Sequence, residues 1–362
     1  MKESLAYNLH NVLTFQINRE KKNDLFPDLN LPFSYFATNE ELTKPDITLN
    51  IGAFRPSNNN CRVIDHRYYI KNNYFYCKDG SGSASWEVEI TGLEFGYPII
   101  NYNGKIIGPE TIIYPHLLPQ DLFLQPLIEF LLCKKGYAFI HAAGVCQNNK
   151  SYLLVGRGSS FKTSICMDLL RKGNFAFLGD ERIILSRDGR VLSCPLHQKA
   201  FNFKANHLAN EEFRSSGKLN VESLKKYLAF LNAMHSNASL KKNIMIADSA
   251  DLQSIIFLNR TNIVKTYSQP ISLDLAVSKL VINNMAEKIK GHTFFWSDYG
   301  HFFLKYMLIY SFVFPESYLA TYDAQLRYLL SNILYKSKLH EIYFNAKYDR
   351  RVIDELSRLF IE

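Results

Sequence analysis

Residues 156–163, Gly156-Arg157-Gly158-Ser159-Ser160-Phe161-Lys162-Thr163, follow the pattern G-x-x-x-x-G-K-[ST] except at one defining position, where Phe161 replaces the second glycine. A loop of this kind does anion chemistry. Its small residues let successive backbone N–H groups approach phosphate oxygens at the positive end of the helix that follows. The lysine ammonium reaches the β and γ phosphates, and the threonine hydroxyl coordinates Mg²⁺. The expected nucleotide-binding set is Gly156, Arg157, Gly158, Ser159, Ser160, Phe161, Lys162, Thr163 and Ser164. The competing reading of the loop alone is a strand-turn-helix that carries a lysine by chance. A positive φ at Phe161 would be an outlier for so bulky a residue, so its ring must point away from the phosphates if the loop is to work.

Two further features keep company with the loop. Asp180-Glu181 lies seventeen residues after Thr163, directly behind the apolar run Phe175 to Leu178. Carboxylates at such a strand end can hold Mg²⁺ with Thr163, and one of them can take the proton of an attacking hydroxyl; these are the tasks phosphoryl transfer leaves to acidic groups. Alone, an acidic pair is usually a solvated turn. His141 ends the strand before the loop strand, where an imidazole could hydrogen-bond a phosphoryl oxygen. The expected catalytic residues are Asp180, Lys162 and His141, and the expected metal ligands are Thr163, Asp180 and Glu181.

These residues need elements to position them. Tyr137 to Ile140, Ser151 to Val155 and Phe175 to Leu178 are predicted as buried strands, and Thr163 to Arg171 as a helix closed by Lys172-Gly173, which makes a βαβ unit. Ile183 to Ser186 and Arg190 to Cys194 flank an Asp188-Gly189 turn and are predicted as a hairpin. Before them, a helix is expected from about Asp121 to Lys135, closed by Gly136. The first 119 residues are predicted as irregular β structure, with strands at Asp46 to Phe54, Val63 to Cys77, Ser85 to Ile90 and Lys105 to Ile113. Lys78 to Gly82 is predicted as a turn, and Asn103-Gly104 as a hairpin turn. Later come an amphipathic stretch, Val221 to Leu231, a strand at Ser254 to Leu258, a helix capped by Ser272 and running to about Lys290, and a terminal helix opened by Asp349. The division expected is a β-rich region, 1–119, and an α/β domain with helical additions, 120–362.

At this point the sequence resembles a known family. The run from Gly136 to Val191, with Ile140-His141, the loop to Thr163-Ser164 and Leu178-Gly179-Asp180-Glu181-Arg182, resembles the HPr kinase/phosphorylase-like P-loop kinases, which are related to the phosphoenolpyruvate carboxykinase fold. The resemblance is tight over residues 136–191 and holds only in outline elsewhere. It implies an α/β fold with a P-loop kinase core, ATP or GTP with Mg²⁺, Asp180 as general base, Glu181 as a helper in metal binding, and Arg182 on a matching position. The sequence departs from the family at Phe161, at Glu181 in place of a second aspartate, and in lacking the C-terminal signature of enzymes that act on HPr itself. The implied acceptor is therefore another hydroxyl, such as a serine of a peptide, a protein or a small metabolite.

Composition sets the outer bounds. In 362 residues, 47% are hydrophobic and 21% charged, which excludes large-scale disorder. The net charge of +8 is scattered in pairs such as Lys21-Lys22 and Lys241-Lys242 and forms no stripe; it suits a polyanionic small ligand such as a nucleotide as well as it suits nucleic acid, and most such pairs are read as solvated surface, while the partners expected are a nucleotide and no nucleic acid. Six cysteines without a CxxC pair give no zinc site and no disulfide framework. The apolar run Tyr306 to Phe314 is too short to span a membrane, for which about 20 residues are needed, so a cytoplasmic protein is expected. Homo-oligomerisation is left open. The rival from another class is a nucleotide-responsive binding protein that has lost transfer activity, with Phe161 as the mark of that loss.

Overall fold

The computed structural model describes residues 2–20, 33–82, 84–106, 118–158, 160–195, 244–263, 265–290 and 301–361. Among these residues the chain is a mixed α/β protein with two large mixed sheets and six α-helices: α1 (Gln125–Lys134), α2 (Lys162–Arg171), α3 (Leu273–Lys290), α4 (His301–Val313), α5 (Tyr318–Leu334) and α6 (Arg351–Ile361). None of the described helices is long and apolar enough to cross a membrane. Two compact units result, Met1–Lys135 with Met285–Leu326, and Gly136–Asn284 with Arg327–Glu362. They divide the chain at other places than the boundary expected after residue 119. The predicted stretch Val221 to Leu231 and loop residue Ser159 lie outside the described residues, as does the end of the predicted strand Lys105 to Ile113.

The first unit is built on β1 (Lys2–Leu9), β2 (Leu13–Glu20), β3 (Ala37–Thr38), β4 (Ile47–Ile51), β5 (Arg62–Ile64), β6 (Tyr68–Lys71), β7 (Tyr74–Ser81), β8 (Ala84–Thr91) and β9 (Ile99–Ile106), in the order β3-β1-β2-β4-β9-β8-β7-β6-β5. One face carries the core: Trp86, Tyr68 and Phe75 meet Phe302 and Tyr306 of α4, and Trp86 Nε1 donates to Tyr306 Oη (3.0 Å). The other face carries a row of amides, in which Asn18, Asn50 and Asn101 each donate across a strand, the last to Glu89 (2.9 Å).

Three predictions fail in this unit. Val63 to Cys77 is not one strand but parts of three, because Asp65, His66 and Asn73 take left-handed backbone (φ 49, 57 and 61) and turn the chain twice. Lys78 to Gly82 is mostly strand: the β7–β8 ladder runs on to Ser81 opposite Ala84, and within the predicted stretch only Gly82 (φ 58) leaves the strand. Asn103-Gly104 makes no hairpin; both lie inside β9, paired with Glu87 and Trp86 of β8. The glycine is needed there because a Cβ would lie 2.1 Å from the Tyr102 hydroxyl oxygen, whose ring lies over the backbone. The predicted helix from Asp121 begins as a π turn, Gln120–Leu124, which hands over to α1 where Pro126 offers no N–H to the ladder.

The second unit holds β10 (Tyr137–Ile140), β11 (Ala142–Gln147), β12 (Lys150–Val155), β13 (Ala176–Gly179), β14 (Ile183–Ser186), β15 (Arg190–Leu192), β16 (Ser249–Thr261), β17 (Tyr267–Pro270) and β18 (Lys338–Asn345). The order is β10-β14-β15-β16-β12-β11-β13, with β18 paired to β16 and β17 to β18. β12 and β13 are parallel, with β11 antiparallel between them, and β12, β16 and β18 run parallel. The C-terminal ends of β12, β13, β16 and β18 therefore share one end of the sheet, the end at which open α/β sheets bind ligands. The predicted βαβ unit is present as β12-α2-β13, and the predicted β14–β15 hairpin turns at Gly189 (φ 81). Ile165 and Leu169 of α2 pack with Val352, Leu356 and Leu359 of α6 over Leu154, Ile256, Ile342 and Phe344 of the sheet. Each such side chain, fully buried, is worth about 1.5–3 kcal/mol, so α2 is held firmly where it leaves the loop.

Candidate functional site

The loop residues Gly156 to Phe161 connect the end of β12 to α2. Gly156 cannot carry a side chain, since a Cβ would lie 2.6 Å from Ser160 Oγ and 2.9 Å from Ser160 Cβ. The loop closes on itself: the Ser160 N–H donates to Arg157 O (3.1 Å), and Lys162 Nζ, on a side chain that is buried, donates to the carbonyls of Gly156 and Arg157 (3.5 Å to the latter). The ammonium is thus held back over the start of the loop. Phe161 O accepts the Ile165 N–H (2.9 Å) and starts the helix, but Phe161 has no capping oxygen. The N–H groups of Lys162, Thr163 and Ser164 therefore lie at the positive end of α2. Ser160 Oγ and Ser164 Oγ are buried with no hydrogen-bond partner among the described residues. Arg157 and Gly158 are exposed.

Phe161 takes the left-handed conformation, φ 61 and ψ 18, at the position where the motif has glycine. The conformation costs a side-chain-bearing residue about 1–2 kcal/mol. Its ring packs against the α2–α6 core, 5.2 Å from the Tyr348 ring and 6.4 Å from that of Phe344, with the Arg260 guanidinium 4.4 Å from its centroid. Partial burial of a phenyl ring and a cation–π contact of about 0.5–1 kcal/mol offset the strain. Arg260 and Tyr348 were not expected from the sequence, in which no spacing links them to the loop.

Asp180 follows β13 and is 1% exposed. Its Oδ2 accepts a 2.9 Å hydrogen bond from Thr163 Oγ1, which joins two of the three expected metal ligands. Glu181 is partly exposed and also left-handed (φ 76), so the acidic pair sits on a tight turn; Asp180, not Glu181, is the residue tied to Thr163. Gly179 permits that turn, since a Cβ would lie 2.6 Å from Arg182 O and 2.9 Å from Cys194 O. Arg182 is buried beside Cys194, whose thiol burial pushes up to about 12 against the opposing pull of the guanidinium. Cys194 is thereby kept a protonated thiol and no nucleophile.

His141 stands between β10 and β11, one residue before Ala142, which pairs with Val155; this puts it at the same end of the sheet as the loop. Two asparagines of α3 hold its backbone. The His141 N–H donates to Asn284 Oδ1 (2.9 Å), Asn284 Nδ2 donates to Phe139 O (2.8 Å), and Asn283 Nδ2 donates to His141 O (3.1 Å). Arg157 Nη1 reaches Asn283 O at 3.5 Å, so one residue touches both the histidine and the loop. The only sequence signal for this pair was two adjacent poor helix formers inside a helix.

Among the described residues no group of three or more His, Cys, Asp or Glu side chains is gathered to hold a metal. The Thr163 hydroxyl and Asp180 carboxylate nevertheless suit Mg²⁺, which is commonly held by one or two protein oxygens and completed by phosphate oxygens and water. In comparisons with models of protein families and with curated proteins, nothing matches this chain.

Proposed function

We propose that this chain is a P-loop kinase resembling the HPr kinase/phosphorylase-like enzymes, which transfers the γ-phosphoryl group of ATP or GTP, with Mg²⁺, to an alcohol. The acceptor class proposed is a serine of a peptide, a protein or a small metabolite. The observation that carries this reading is the buried Thr163–Asp180 hydrogen bond beside a loop whose lysine folds back over its own carbonyls. A chance strand-turn-helix has no reason to bring an acidic strand end against the residue that follows the lysine.

Bound Mg²⁺ would supply charge neutralisation at the phosphates, with Thr163 and Asp180 as its protein oxygens. The residues of the chain do the rest. Lys162 and the N–H groups of Lys162, Thr163 and Ser164 present positive charge to the transferring group, and electrostatic positioning of this kind supplies most of the rate. Asp180 takes the proton of the acceptor hydroxyl as that oxygen bonds to phosphorus; the bridging P–O bond breaks and the electron pair leaves with the diphosphate. A cytoplasmic setting belongs to this proposal.

The test is a screen of hydroxyl acceptors with labelled ATP and GTP, run beside Asp180→Asn. Label transfer that depends on Asp180 supports the reading. Nucleotide binding without turnover on any acceptor would favour the non-catalytic, nucleotide-responsive protein instead.

A further inference from the structure

We propose that Phe161 is a positioning residue: its ring, clamped by Arg260 and Tyr348, locks the phosphate loop in its left-handed turn before any ligand arrives. The contacts form a closed circuit. Phe161 is the N-cap of α2, and its ring meets the Tyr348 ring at 5.2 Å. Tyr348 Oη in turn donates to Asp168 Oδ2 (2.7 Å), two turns along the same helix. The ring's other neighbour, the Arg260 guanidinium, is itself fixed, because Nε (3.0 Å) and Nη2 both donate to Ala346 O. Residues 346–348, which join β18 to α6, therefore grip both the last loop residue and the helix that leaves it.

A glycine at this position reaches the left-handed region at no steric cost but also visits many others. A docked phenyl ring removes those alternatives. The residue that departs from the motif is thus a preorganising anchor and not a sign of decay. The functional half of this inference rests on the phosphate-loop reading above; the structural half does not.

Hydrogen exchange on the full chain without nucleotide tests the structural half. In Phe161→Gly the amides of the loop and first turn of α2 are expected to exchange at least tenfold faster than in the wild type, while the N-terminal sheet keeps its rates. Arg260→Met, which leaves the ring in place, is expected to give a several-fold increase confined to the same segment, and it decides the matter should Phe161→Gly fail to fold. Unchanged or slower loop exchange in these variants overturns the anchor. Titration with Mg·ATP tests the functional half: Phe161→Gly, although it restores the motif, is expected to bind at least tenfold more weakly. Equal or tighter binding by Phe161→Gly overturns it. Absence of binding by the wild type tells against the loop reading, and the exchange rates still decide the anchor.

Discussion

Thr163 Oγ1 and Asp180 Oδ2 lie 2.9 Å apart, both side chains buried, and their hydrogen bond fastens the first turn of α2 to the end of β13. Removing the donor leaves a buried carboxylate short of a partner, which costs about 1.5–3 kcal/mol for a bond to a charged group. Thr163→Val is therefore expected to lower the melting temperature and to abolish phosphoryl transfer, while Thr163→Ser restores both. Thermal melts and transfer rates measured on the same preparations check this.

Asp180→Asn keeps the size and the hydrogen bond of the side chain but removes its basicity. A positioned general base contributes roughly 10²–10⁴-fold, so transfer is expected to fall by at least that factor, and affinity for the Mg-nucleotide falls as well because Asp180 is also a proposed Mg²⁺ ligand. Single-turnover rates separate the two effects.

Gly179→Ala drives a Cβ against two backbone carbonyls that cannot swing aside, those of Arg182 and Cys194. Overpacking of this kind costs about 1–3 kcal/mol and would displace the adjacent Asp180. Urea titration is expected to show the loss of stability, with a parallel loss of transfer.

Asn284→Ala takes partners from the His141 N–H and the Phe139 carbonyl. Two backbone groups left unsatisfied cost about 1–3 kcal/mol each when buried. Denaturant midpoints are expected to drop accordingly, and if His141 acts on phosphate, the pH profile of transfer shifts in Asn284→Ala as it does in His141→Gln.

Much of the second unit was legible in the sequence. The strand before the loop, α2, the strand ending at Asp180 and the β14–β15 hairpin all carry local signals: apolar runs, a Gly stop and an Asp-Gly turn. Elements fixed by distant partners were not legible. β11 is short, small and uncharged, and only its two neighbours make it a strand. α4 is apolar almost all round, so it has no periodicity to announce which face is buried. The clamp on Phe161 joins residues nearly a hundred and two hundred positions away in the chain, and no spacing rule reaches that far. Asn103-Gly104 misled because its glycine serves the Tyr102 ring and not a turn.

In the first unit, Asp79 is buried and accepts from Tyr68 Oη (3.2 Å), Tyr306 Oη (3.1 Å) and Lys305 Nζ (3.2 Å). Burial alone would raise its carboxyl pKa, but the Gly80 N–H, the Lys305 ammonium and the Tyr306 hydroxyl outweigh it and hold the group below its ordinary 3.8. Since the folded pKa is depressed, the contribution is complete above the unfolded value and is lost as pH falls below 3.8 through the folded one. Asp79→Asn is expected to cost about 1–2 kcal/mol at pH 7, discounted for the half-exposed cations, and less at pH 2. Chemical denaturation at the two pH values checks the sign.

The most direct test of the account is calorimetric titration of Mg·ATP and Mg·GTP into the wild type and Lys162→Ala. One nucleotide site per chain is expected in the wild type, and a loss of about 10²-fold or more in affinity in the variant, from which the charge proposed to face the phosphates is removed. No binding of either nucleotide by the wild type, or equal binding by Lys162→Ala, would contradict it.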